Sequence, residues 1–583
     1  MNLSPPAQIE SKPSVKTSPV PDRSPARVAG IAVLLSLFSF LYYFQHADLL
    51  LYGDAVAHIN IARRVFDSLT PGLLQLGTVW LPLPHLLLIP FIFLDTMWQS
   101  GAGGSIPSMI AYVFGVMGIF RLVRRLLEAG PDEKPTDKPV VAVGAWAAAL
   151  AYAANPNLLY MQATAMTESL YLALFIWAIV YFAEFVRALP NHALPNHDAR
   201  KIAAADRRQS PPPRTPLLRC AACLAGAELT RYDGWFLAGV LGAAVVVILL
   251  RHWQNSVVRR VALKFVLAIA VVPILWLAYN RIVYGNALEF ANGPYSAKAI
   301  EQRVGAPNPA LHNVPVAAIY FLKSAQLNLA DGNWGRFWLA AALLALAIGA
   351  WKLRVQSASL LLLWVPLAFY ALSIAYGSVP LHVYTWWPFA TFNQRYGLQL
   401  LPMFAVSTGV LTASVFLLGK SFGAAGRHGG KLAALILALV AVSYASLWKA
   451  EPQCLKEARR NWEIRHTLNS AVQRVVAQLP KNSIFLMDLG EHVGVMEQAG
   501  IPLRHIVNNE NHRPWKRPTD PEGLWERALA DPPRYVDFVI AFDGDPVDQG
   551  ANKTNLTVLA EIHATGQPHA RIYAARGAPN PLR

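Results

Sequence analysis

The sequence predicts a polytopic α-helical membrane protein with a small α/β domain at its C-terminal end. Three observations predict this. Of 583 residues, 54% are hydrophobic and only 15% charged, against about 25% charged in an ordinary soluble chain, and the mean hydropathy is +0.32. Apolar runs of roughly 17–22 residues recur, the length that crosses a bilayer as a helix. The net charge of +16 lies wholly before position 450, because residues 451–583 hold sixteen Lys and Arg against sixteen Asp and Glu. That asymmetry argues against a nucleic-acid surface and fits basic loops kept on the cytoplasmic side of a membrane.

Residues 1–28 are rich in Ser, Pro and basic side chains and read as a disordered cytoplasmic tail. Arg23 and Arg27 flank a first span over 28–45, and with no small-residue cleavage site after it the segment is not a signal peptide. Further runs begin near Trp80, Pro107, Val140, Thr167, Leu217, Trp235, Val261, Gly335, Ala358, Leu398 and Leu432, giving about 10–13 transmembrane helices in a domain spanning 29–449. The basic connectors at 121–138, 187–214, 251–260, 352–354 and 420–431 should face the cytoplasm. The loops at 46–79, 155–167, 284–334 and 377–397 then lie outside, with everything after 448. One conflict follows. If both runs between Trp80 and Leu122 cross, the cluster Arg121, Arg124 and Arg125 lands on the wrong face, so either one run is re-entrant or amphipathic, or the cluster breaks a statistical rule.

From about 450 the periodicity changes. An amphipathic stretch over 455–479 reads as a helix, and Ser483-Ile-Phe-Leu-Met-Asp488 and Tyr535-Val-Asp-Phe-Val-Ile-Ala-Phe-Asp543 read as short buried strands of an extracytoplasmic α/β domain, 450–583. Asp488, Glu491 and His492 form a polar group after the first of these strands. Cys220, Cys223 and Cys454 are too few for a disulfide framework, and Cys220-x-x-Cys223 has no second pair to complete a zinc site, so they read as small apolar helix residues. No Walker-type glycine loop is visible, which argues against an ATP-driven pump.

The residue patterns that carry chemistry sit at predicted membrane boundaries. In Tyr52-Gly53-Asp54-Ala55-Val56-Ala57-His58-Ile59-Asn60 the apolar spacing predicts a helix lying along the membrane surface. Asp54 opens it and His58 follows one turn later on the same face. Asp54 as a plain helix cap, His58 as an interfacial polar residue, or the two as part of a metal site are all compatible with that spacing. Glu168 opens an apolar run after Asn155-Pro156-Asn157, where a carboxylate either snorkels or serves a site. In Thr230-Arg231-Tyr232-Asp233-Gly234-Trp235, Arg231 either pairs with Asp233 or offers its planar fork to a phosphate. Arg395-Tyr396, just before a late span, is the stronger phosphate candidate, with Tyr384-Thr-Trp386-Trp387 placed to line a lipid or sugar groove.

A single first span followed by an exterior loop opening with an acidic residue on a juxtamembrane helix, continuing through His58 to Ala62-Arg63, resembles the C-type integral-membrane glycosyltransferases. Within them it is similar to the protein O-mannosyltransferase and lipid A aminoarabinose transferase branch. Gly77-Thr-Val-Trp80-Leu-Pro82-Leu-Pro84-His85-Leu86 resembles that branch's Pro-rich, aromatic entry to the second span, although many members carry an acidic pair where this chain has Asp54-Ala55. The resemblance covers roughly residues 30–410. It implies transfer of a sugar from a polyprenyl-phosphate carrier to an acceptor hydroxyl on the extracytoplasmic side of the cell membrane, with inversion. Asp54 would be the general base and Glu168 the second acidic position. Arg63, Arg231 and Arg395 would offset the carrier phosphate, and His58, Trp80, His85, Tyr232 and Tyr396 would line the substrate site. No cofactor is called for and no metal-ligand set is assigned, with a divalent ion left open. The implied partners are the polyprenyl-linked donor, membrane lipid and a protein, lipid or glycan acceptor, and not nucleic acid. Two other classes share many of these features: a transporter or flippase of a lipid-linked saccharide, and a non-catalytic membrane protein of polysaccharide assembly.

Overall fold

The computed structural model describes residues 22–77, 79–128, 137–189, 214–304, 307–352, 357–377, 379–421, 426–490, 492–509 and 523–575. Among them, eight helical segments are long and apolar enough to cross a membrane: Ser24–Gln45, Ala102–Leu127, Glu168–Arg187, Tyr232–Arg251, Ser256–Tyr284, Ser359–Tyr376, Gln394–Leu418 and His428–Val476. The shorter helices Lys138–Ala153, Arg214–Glu228 and Gly335–Lys352 pack among them. Small residues let these helices approach closely, as membrane packing requires. A Cβ on Gly409 would lie 2.6 Å from the Gly144 carbonyl oxygen, so the helix following Arg395 and the helix Lys138–Ala153 meet almost backbone to backbone. Cys220 is buried in the helix Arg214–Glu228.

The first helix begins at Ser24, four residues ahead of the expected boundary, and residues 1–21 of the tail lie outside the described residues. The run starting near Trp80 does not cross. It folds as the helix Pro82–Leu88 with a 3-10 turn to Phe91, roughly 15 Å long and half what a bilayer core needs. Ala102–Leu127 is therefore the next crossing. Arg124, near its end, pairs with Asp22 beside the start of the first helix at 2.6 Å. The arginine cluster thus shares an end of the bundle with the chain's entry, which removes the conflict in the basic-residue pattern.

The C-terminal part contains a five-stranded sheet in the order β2-β1-β3-β5-β4. Its strands are β1 (Phe485–Met487), β2 (Ile506–Val507), β3 (Phe538–Phe542), β4 (Leu556–Ile562) and β5 (Ala570–Ala575). β1 runs parallel to β2 and β3, and β5 runs antiparallel to β3 and β4. Beside it His492 stacks on Phe542 with ring centroids 3.6 Å apart, and Glu491 lies outside the described residues.

Two helices join this sheet to the membrane bundle. Gln453–Val476 contributes Cys454, Leu455 and Ala458 to the core of the bundle, then Leu468, Val472 and Val476 to the core beneath the sheet. Gly53–Arg64 does the same with Ala55 on one side and Val56, Ile59 and Ala62 on the other. The boundary expected at 450 falls at the start of a helix that both cores share.

Polar ties fix the second of these helices against the sheet. Asp67 bonds Arg63 at 2.8 Å and Arg504 at 3.0 Å. Asn60 donates to the buried Glu497 at 2.7 Å and accepts from the Trp98 indole at 3.1 Å. Burial pushes the Glu497 carboxyl up to about 8 from its ordinary 4.5. The folded state therefore holds this proton more tightly than the unfolded chain does. Its contribution to stability is complete below the ordinary value and is lost as pH rises toward and through about 8. Glu497→Gln copies the protonated acid, so the variant should melt at a higher temperature than the parent at pH 8 and match it near pH 5. Equal pH dependence in the two proteins would refute the assignment.

Candidate active site

The site assembles at the end of the bundle opposite Asp22, where the helix Gly53–Arg64 begins. Gly53 donates its backbone N–H to Asn461 Oδ1 at 2.7 Å, and a Cβ at Gly53 would sit 3.2 Å from that oxygen. A larger residue would push the helix start away from its neighbour. Asp54 follows in the first turn, where a carboxylate complements the helix dipole, and Arg63 and Arg64 occupy the last turn.

From there Asp54 reaches Arg395, with Nη2 2.5 Å from Oδ2. Arg395 sits in a buried 3-10 helix, Gln394–Leu400. The sequence puts it there through a polar network. Asn328 donates to the Gln394 carbonyl at 2.9 Å, Ser324 donates to the same oxygen at 2.6 Å, and Asn155 and Asn157 hold the Asn328 carbonyl at 2.9 and 3.3 Å. The Asn155-Pro156-Asn157 motif is thus a brace for the arginine segment. Gly397 lies in the middle of that segment, and a Cβ there would meet Ser324 and Ala325 backbone atoms at 2.5 and 2.6 Å. Gly397→Ala should cost about 1–3 kcal/mol by overpacking, read as a lowered melting temperature. Full stability in that variant would contradict the close packing.

Three carboxylates surround Arg395. Besides Asp54, Nη1 donates to Glu457 Oε1 at 2.9 Å, and Nε lies 3.3 Å from Glu168 Oε1. Glu168 also accepts from Arg231 Nη1 at 3.3 Å, so one buried carboxylate joins the two arginines. Arg231 further bonds Thr167 Oγ1 at 3.1 Å and the Tyr370 hydroxyl at 3.0 Å, and lies 3.3 Å from Asp233. Both guanidinium groups lie 5.1 Å from the Tyr396 ring centroid, and Arg395 lies 5.0 Å from that of Tyr52. Exposure separates these acids. Glu168 is fully buried and Glu457 keeps 7% of its side-chain surface, whereas Asp54 keeps 38%. Glu168 Oε2 has no hydrogen-bond partner among the described residues.

The structure therefore brings Asp54, Glu168, Arg231, Arg395 and Tyr396 into one cluster from four distant parts of the chain. His58 is buried one turn beyond Asp54, shares a hydrogen bond of 2.9 Å with His85, and packs 4.9 Å from Trp80. Burial first, then the positive charges of Arg395 and Arg231, hold the His58 imidazole down to about 3, so it is neutral at physiological pH. Tyr232 lies at the margin, donating to the Val79 carbonyl at 3.1 Å and stacking on Phe290 at 4.8 Å.

Arg63 is not part of the cluster. Nine residues beyond Asp54 on a helix of 3.6 residues per turn, it projects from the opposite face. Its guanidinium is taken up by Asp67, Asp95 at 2.7 Å and the Ile92 and Phe93 carbonyls at 2.7 and 3.1 Å. A donor set so fully engaged ties the helix to the chain after Pro82. Sequence reasoning missed Glu457, Tyr52 and Tyr370. The one readable trace of Glu457 is a carboxylate among Cys454, Leu455 and Ala458 on the apolar side of its helix.

No protein-family model and no curated protein matches the sequence. Solved structures do match the fold. ArnT from Cupriavidus metallidurans bound to undecaprenyl phosphate superimposes with a TM-score of 0.54 at 12% identity, covering 94% of this chain and 97% of that one. The same protein in the apo state gives 0.51 at 13% identity, covering 95% and 99%. The chain therefore shares the fold of ArnT.

Proposed function

We propose that the protein is a membrane glycosyltransferase that moves a sugar from a polyprenyl-phosphate carrier to an acceptor hydroxyl outside the cytoplasm. The observation that carries this reading is the half-exposed Asp54 paired with the buried Arg395, which shares Glu168 with the partly buried Arg231, in a chain with the fold of a protein solved with undecaprenyl phosphate. A prenyl tail belongs in the bilayer and its phosphate at the boundary, where this cluster begins.

In the proposed reaction the acceptor oxygen attacks the anomeric carbon opposite the phosphate, and the bond from that carbon to the phosphate oxygen breaks. The phosphate leaves with the bonding electrons as polyprenyl phosphate, and the hydroxyl proton passes to Asp54. Arg395 and Arg231 offset the charge that develops on the leaving phosphate, an effect worth about 3–4 kcal/mol for one well-placed donor. Glu168 and Tyr396 hold the two arginines in register, and His58, His85, Trp80 and Tyr232 form the wall beside them. The arginine cluster at 121–125 shares an end with the start of the first helix, which supports a cytoplasmic N-terminus and an extracytoplasmic site.

The test is turnover by purified full-length protein in lipid nanodiscs and, in parallel, in sealed vesicles, using undecaprenyl phosphates that carry labelled sugars. Acceptor-dependent release of undecaprenyl phosphate with label moving to the acceptor is the expected result. Label carried across a sealed vesicle with the donor intact would instead mark a transporter and overturn the proposal.

A further inference from the structure

Glu457 lies beyond the stretch whose sequence resembles the glycosyltransferases, and its role rests on the functional reading above. Glu457 grips Arg395 twice. Oε1 accepts from Nη1 at 2.9 Å and Oε2 from the arginine's own backbone N–H at 3.2 Å. One carboxylate thereby fixes both ends of the side chain and its rotamer. Glu168, fully buried, faces Nε and is shared with Arg231. Asp54 on Nη2 is the third ligand, and with 38% of its side chain exposed it is the one open to the outside. An arriving phosphate is another anion, so at the exposed side of Arg395 it competes with the carboxylate that now holds Nη2. The buried carboxylates would have to leave a low-dielectric site to yield theirs, whereas Asp54 can turn into water.

We propose that Glu457 is a positioning residue that keeps Arg395 in place while the carrier phosphate displaces Asp54 from Nη2, so that the base is freed for the acceptor hydroxyl only when the donor is bound. No bond other than hydrogen bonds changes in this exchange. It makes binding ordered, with the carrier first, and it keeps an idle Asp54 from activating water.

The test measures undecaprenyl phosphate binding to the full-length protein in phosphatidylcholine nanodiscs, with melting temperature as the control for folding. Glu457→Gln places an amide N–H against one of the two arginine donors and should weaken binding about tenfold, the loss of one charge-assisted hydrogen bond. Glu457→Asp keeps the charge and should recover most of that loss, and it serves as the informative variant if the Gln form does not fold. Asp54→Asn should move the other way and tighten binding about fivefold, because a competing charge a few ångströms from the phosphate is gone. In turnover, Glu457→Gln should raise the donor KM and leave the acceptor KM unchanged, with Glu457→Asp closer to the parent. Opposite signs at 54 and 457 are what exchange requires, since general loosening of the site would weaken both. Weaker binding in Asp54→Asn, or parental binding in Glu457→Gln, overturns the inference. Absence of binding by the parent protein instead brings down the functional reading.

Discussion

Asp54→Asn is expected to lower transfer by about 10²–10⁴-fold, the usual worth of a positioned general base, with little change in melting temperature. Asn keeps the size of the side chain. The residue is half-exposed and, among the described residues, its ion pair is with Arg395, so the fold loses one ion pair at its edge. The proposed reaction loses the one carboxylate, of the three around Arg395, that is open to the outside, since Glu168 and Glu457 are enclosed. Single-turnover measurement with saturating donor isolates the step. Transfer at the parental rate in a folded Asn variant would remove Asp54 from the mechanism, even if the enzyme class stands.

Arg395 variants should separate two effects of comparable size. Arg395→Ala leaves Glu168 and Glu457 buried beside an empty space, and stranding buried charge in this way costs about 3–5 kcal/mol. That variant should melt well below the parent or fail to accumulate. Arg395→Lys retains the charge and loses the fork that meets three carboxylates at once. It should fold, with kcat reduced about 10²–10³-fold if the guanidinium stabilises the leaving phosphate. Its donor KM should rise while its acceptor KM stays near the parental value. Equal change in both constants would assign Arg395 to architecture alone.

The membrane domain was legible because long apolar helices announce themselves by composition. The helix carrying Asp54 was legible because its apolar spacing has the helical period. The fate of the run at Trp80 was not, since Pro82, Pro84 and Pro90 permit a short helix without dictating its length. β1 and β3 were read from buried apolar residues, whereas β4, largely exposed or half-buried along Leu556–Ile562, gave little signal. Arg63 shows a different limit. Its charge and position looked right for phosphate, and helix phase alone sets it on the face away from Asp54. Glu457 marks the boundary of such reading. A carboxylate on an amphipathic helix acquires meaning only from a partner 62 positions upstream, and no local pattern encodes that distance.

The helix Gln453–Val476, shared between two cores, bears on how the protein comes to be made. Arg395 leaves the ribosome before the glutamate that grips it, and Asp54 emerges hundreds of residues earlier still. A nascent chain halted before position 457 holds a guanidinium without its principal anchor, and one halted before 497 also lacks the acid that seats the Asp54 helix against the sheet. The cluster around Arg395 is therefore completed late in synthesis, and a fragment ending near 450 would lack one of its carboxylates.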